Sequence, residues 1–71
     1  MEGYAVIGRL VPEDERVEKI TRWLSNNDLW WREEEIGGRI EIAVWINSDY
    51  ADKFFAEMSE ELGLDVNALP M

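Results

Sequence analysis

The sequence contains no cysteine and no histidine. The first absence excludes disulfides, zinc–thiolate sites and thiol nucleophiles, so the fold rests on packing alone, with self-association as the available supplement. The second removes the usual general base and leaves Ser25, Ser48 and Ser59 with no imidazole to activate them. Lysine is scarce too: Lys19 and Lys53 are the only two, and neither falls in an apolar setting. Gly37-Gly38 fits a turn rather than a phosphate-binding loop. No run approaches the roughly 18–20 apolar residues of a membrane span. The opening MEGYAV lacks the charged-then-apolar order of a signal peptide. These absences point to a cytoplasmic chain that is no enzyme and carries no cofactor or metal.

Charge is what the sequence has in excess. Sixteen acidic residues face seven basic ones, giving −9 on 71 residues. Such a field repels nucleic-acid phosphates and anionic membranes and attracts basic protein surfaces. At 46% hydrophobic residues, the chain still has the material for a core, and its length sets one domain over residues 1–71. Four tryptophans are the second excess. Large aromatics dominate both cores and interface hot spots.

Residues 4–11 are β-branched and apolar and read as a strand. Pro12 suits the first position of a following helix, with Glu13, Asp14 and Glu15 placing negative charge at its N-terminus. Val17, Ile20, Thr21 and Leu24 recur at helical spacing, and Asn26-Asn27-Asp28 ends the helix. Residues 29–36 and 39–46 flank Gly37-Gly38 and predict a hairpin. A two-residue turn pairs positions whose numbers sum to 75. Ile40, Ile42, Val44 and Ile46 then share a core face with Leu29 and Trp31. The opposite face carries Trp30 beside Trp45, Arg32 beside Ala43 and Glu34 beside Glu41. Asn47 or Ser48 caps a second helix with the apolar stripe Ala51, Phe54, Phe55, Met58 and Leu62, closed by Gly63. Residues 64–71 form either a short fourth strand or a strap. The order is β-α-β-β-α, an α+β two-layer sandwich with both helices on one face of a three- or four-stranded sheet, ferredoxin-like or truncated ferredoxin-like.

The carboxylates fall in rows. The second helix presents Asp49, Asp52, Glu57, Glu60 and Glu61 away from its apolar stripe, and the hairpin adds Glu33, Glu34, Glu35 and Glu41. Neighbours on a helix lie about 5–6 Å apart, and alternate residues on a strand about 6.6–6.8 Å apart. Both spacings approach that of successive phosphates, so a rigid body bearing such rows can occupy a Lys/Arg groove built for a nucleic-acid backbone. Glu33-Glu34-Glu35 alternates across a strand and does not chelate a metal, and Asp49 and Asp52 lack the loop of a calcium site.

In size, acidity and topology the chain is similar to the small acidic inhibitors by which phages disarm host defences, the anti-CRISPR proteins, and among them to inhibitors of type I-C surveillance complexes. The resemblance covers the whole chain but offers no signature motif to align residue by residue. It implies a phage protein in the host cytoplasm that mimics DNA and blocks target recognition by a CRISPR complex. The partner is then a basic nucleic-acid-binding protein, with no direct contact to nucleic acid or membrane.

Two other accounts start from the same residues. A charged helix face is often only a solvated face, and an acidic surface also suits high salt. Trp30 and Trp45, adjacent on the open sheet face, stabilise a hairpin or anchor an interface. The rival function is a self-associating structural or adaptor domain that forms a homodimer through that face.

Overall fold

The computed structural model describes residues 1–70. Strand β1 (Glu2–Leu10) leads through a turn to helix α1 (Glu15–Asn26). The hairpin of β2 (Trp31–Ile36) and β3 (Arg39–Asn47) follows, and a single 3₁₀ turn (Ser48–Tyr50) runs into helix α2 (Ala51–Leu62). A second 3₁₀ turn (Val66–Ala68) lies in the tail. The chain is α+β, with one three-stranded antiparallel sheet in the order β1-β3-β2.

The hairpin has the register that the glycine turn dictates. Trp31 pairs with Val44, Arg32 with Ala43 and Glu34 with Glu41. The Trp45 N–H donates to the Trp30 carbonyl at 2.8 Å, extending the ladder one residue beyond β2. Gly37 and Gly38 have φ of +57° and +79°, the left-handed values that a two-residue turn of this kind demands at both positions.

One face of the sheet is covered by both helices. Leu10, Ile20, Leu24, Ile42, Val44 and Met58 are fully buried there, with Ile7, Val66 and Leu69. Trp31 packs against this cluster, as does Trp23, whose ring meets Phe54 edge-on at 5.6 Å between centroids.

The ends of α1 differ from the sequence reading. Pro12 does not open the helix. It lies in the tight turn closed by the Asp14 N–H donating to the Val11 carbonyl at 3.0 Å, the second position of a turn, where its fixed φ is equally at home. Asp14 is the N-cap, its carboxylate accepting from the Arg16 N–H at 2.9 Å. At the other end Asp28 takes the left-handed conformation, φ +54°, while the Asn27 side chain donates to the Trp23 carbonyl at 2.8 Å. Asn47, not Ser48, caps the 3₁₀ turn, accepting from the Asp49 N–H at 2.9 Å, whereas α2 itself begins after Tyr50 with no side-chain cap.

Between Gly63 and Pro70 the tail is a strap, not a strand. Ser59 Oγ accepts from the Val66 N–H at 2.9 Å, and Val66 and Leu69 plug the core. The Arg9 N–H donates to the Pro70 carbonyl at 2.6 Å, a single backbone bond to the free edge of β1. Leu69 reaches this edge because Gly8 has no side chain: a Cβ there would lie 2.9 Å from that of Leu69. Met71, the last residue of the segment read as a fourth strand or strap, lies outside the described residues.

Candidate interaction surfaces

Two surfaces differ sharply in chemistry. On the first, Asp49, Asp52, Glu57, Glu60 and Glu61 line the exposed side of the second helical segment, and Glu33, Glu34 and Glu35 lie exposed along β2. None of these eight joins an ion pair among the described residues. Glu57 lies one turn from both Glu60 and Glu61, a spacing at which like charges repel. The last turn of α2 holds no basic residue, so Glu60 and Glu61 also oppose the helix dipole. Neither arrangement favours the helix. β2 is an edge strand, and three consecutive glutamates there also discourage edge-to-edge pairing with another sheet. Glu34 stands on the open sheet face, whereas Glu33 and Glu35 stand on the helix side, opposite Ile42 and Ile40.

Four arginines, in contrast, pair with acids of the same chain. Arg16 grips Asp14 with contacts of 2.7–3.2 Å and holds its carboxyl down at about 2, while Asp14 pushes the Arg16 guanidinium up. Arg22 pairs with Glu18 one turn before it. Arg9 and Arg32 converge on Glu41.

Glu41 is therefore the exception among the nine carboxylates read as partner-binding. It is 5% exposed, the one charged residue in the buried class among the described residues. Arg9 Nε donates to it at 2.8 Å, and Arg32 Nη2 stands 3.8 Å away. Its place at the centre of the open face brings both guanidinium groups over it, so it offers no free charge to a partner. Arg9 reaches that face because of a bulge. The register shifts between Val6 and Gly8, so Ile7 and Gly8 together oppose Ile42 and Arg9 lands opposite Glu41 instead of in the core. A glycine inside a strand is the sequence signal for such a bulge. The β1 contribution to the open face was otherwise missed by the sequence reading.

The second surface is that open sheet face, which the pairing orders into five rows, Glu2 and Asn47 being the outermost. Tyr4, Trp45 and Trp30 form an aromatic row across the sheet. Val6, Ala43 and Arg32 follow, then Arg9, Glu41 and Glu34. Arg39 and Ile36 come last, beyond the paired end of β1. Tyr4 meets Trp45 edge-on at 5.0 Å, and the Arg32 guanidinium sits 4.8 Å from the centre of the Tyr4 ring. Trp30 remains 77% exposed, with Trp45 and Tyr4 both above 40%. A shallow depression between Trp30, Trp45, Asp28 and Leu29 marks the aromatic end.

Compared with protein-family models, curated proteins and solved structures, the chain matches none. No helix among the described residues is long and apolar enough to cross a membrane, and no three carboxylates there converge closely enough to hold a metal ion.

Proposed function

We propose that the chain is a non-enzymatic inhibitor that presents rows of carboxylates in place of nucleic-acid phosphates and so occupies the binding groove of a basic nucleic-acid-binding protein. The observation that carries this reading is the sorting of charge. Eight of the nine carboxylates read as partner-binding are exposed and in no ion pair among the described residues, while Arg9, Arg16, Arg22 and Arg32 are spent on pairs within the chain. The negative field is thus directed outward and concentrated along α2 and β2. Glu60 and Glu61, placed where they weaken α2, fit a role outside the protein better than one within it.

The target that fits this surface is a complex that must hold DNA in a Lys/Arg-lined channel, with a type I-C CRISPR surveillance complex as the leading candidate, and the setting is the cytoplasm of a phage-infected host. The sheet order and the strap along the free edge of β1 support a ferredoxin-like layout without its last strand. The sheet-and-strap body is the rigid support that the carboxylate rows require.

The decisive variant is Glu57→Gln/Glu60→Gln/Glu61→Gln. Three solvent-exposed charge contacts at about 0.2–1 kcal/mol each amount to a roughly 3- to 100-fold loss of affinity for the basic target. Inhibition of target-DNA binding by a surveillance complex, titrated with each protein, measures it. Undiminished inhibition by the triple variant would count against the α2 row.

A further inference from the structure

We infer that the open sheet face is the interface of a symmetric homodimer, in which two copies pack sheet on sheet about a two-fold axis perpendicular to the strands. This does not depend on the mimic reading, which rests on the carboxylates of the helical side; of the carboxylates read as partner-binding, only Glu34 and Glu41 lie on this face.

The first argument is charge. Two bodies that each carry −9 repel unless they meet through a surface of different character. The open face is that surface. It sets Arg9, Arg32 and Arg39 against Glu2, Glu34 and Glu41, with Asp28 at its rim, so its charges nearly balance, and Glu41 is already paired with two of those arginines. The acids of α2 lie on the far side of the sheet and stay clear of a second copy.

The second argument is self-complementarity. An isologous contact must present to its own copy a surface that fits it. With the axis perpendicular to the strands, each strand faces its counterpart and the order of the rows reverses. Trp30 then covers Ile36 of the other copy, matching apolar groups that are both at least 40% exposed in the single chain. Trp45 meets Arg39, an aromatic face against a guanidinium. Arg32 meets Glu34, an opposite-charge pair formed twice by symmetry. Glu41, held down by its arginines, opposes the small Ala43. The other in-plane axis, parallel to the strands, keeps the rows in order and sets Arg39 against Arg39, with Arg9 rather than Arg32 over Glu34 of the copy. The two arrangements therefore differ in which arginine meets Glu34: Arg32 in the first, Arg9 in the second. Sheets packed this way sit about 10 Å apart with strands within about 30° of alignment.

The test is a charge swap read by sedimentation equilibrium, from micromolar to about 1 mM protein. Wild type dimerises. Arg32→Glu alone faces Glu34 of its copy with a like charge, and Glu34→Arg alone does the same to Arg32, so each raises the dissociation constant roughly 10- to 100-fold. An equimolar mixture of the two variants restores the dimer, because each copy supplies what the other lacks. Rescue by mixing cannot come from a change in the fold of either chain, and circular dichroism of each variant alone checks that fold. A wild type that stays monomeric throughout overturns the inference, as does a dimer indifferent to either substitution. A mixture that stays monomeric overturns the two-fold arrangement.

Discussion

At the scale of single residues, Glu41 shows how context decides what a carboxylate does. Its sequence neighbours suggest one more acid in an exposed row, yet it is 5% exposed and closed off by Arg9 and Arg32. Removing one member of such a group leaves an uncompensated charge, whereas replacing the buried acid with an apolar residue of similar size does not. Arg9→Ala is therefore expected to destabilise the fold by about 2–3 kcal/mol. Glu41→Leu is expected to cost less than about 1 kcal/mol, because both arginines can turn to solvent. Urea denaturation of the two variants orders them, and equal costs would mean that Glu41 is better solvated than its burial implies. Gly8 is a second such residue. Any Cβ at that position meets Leu69 at 2.9 Å, so Gly8→Ala displaces the strap or the bulge and is expected to cost about 1–3 kcal/mol. Hydrogen exchange at the Arg9 amide, which donates to the Pro70 carbonyl, reports which of them moves.

At the scale of elements, what the sequence discloses depends on how locally each element is determined. The hairpin was legible down to its register, because two glycines at positive φ fix the turn and the alternation of Ile40, Ile42 and Val44 fixes the face. The stripe of α2 was legible for the same reason: its periodicity and Gly63 both act within a few residues. The β1 bulge was not, since a strict alternation from Tyr4 puts Arg9 on the core side and only the pairing with β3 corrects it. The tail was ambiguous because its apolar residues suit a strand or a plug equally. Ser59 and Gly8, remote in sequence, decide for the strap. The exposure of eight of the nine candidate carboxylates followed from local patterning, and the loss of Glu41 followed from partners on two other strands. For α2 itself, the charges proposed to serve a partner should burden the helix. Glu57→Gln/Glu60→Gln/Glu61→Gln is thus expected to raise stability by about 0.3–1 kcal/mol while it lowers affinity for the basic target. A thermal melt beside the binding titration checks both signs. A variant that loses stability would assign these glutamates a structural role instead.

At the scale of the whole molecule, a body of 30 × 25 × 22 Å carries −9 and divides it unevenly. The helical side holds most of the unpaired acids among the described residues, whereas the open face holds aromatics and sets three arginines against Glu2, Glu34 and the paired Glu41. Each side has its own use in this account: one meets a basic groove, the other meets a second copy. A dimer built on the open face would display two sets of acidic rows facing outward, which doubles the surface available to a long DNA channel. The central claim is that the outward acids stand in for phosphates, and the most direct measurement is capture from host lysate with the tagged chain as bait, at low and at moderate salt, with and without duplex DNA. The account predicts recovery of a nucleic-acid-binding complex that is released by added salt and displaced by the duplex, since all three compete for the same cationic groove. Recovery of a complex that neither salt nor DNA displaces, or of no nucleic-acid-binding protein at all, would contradict it.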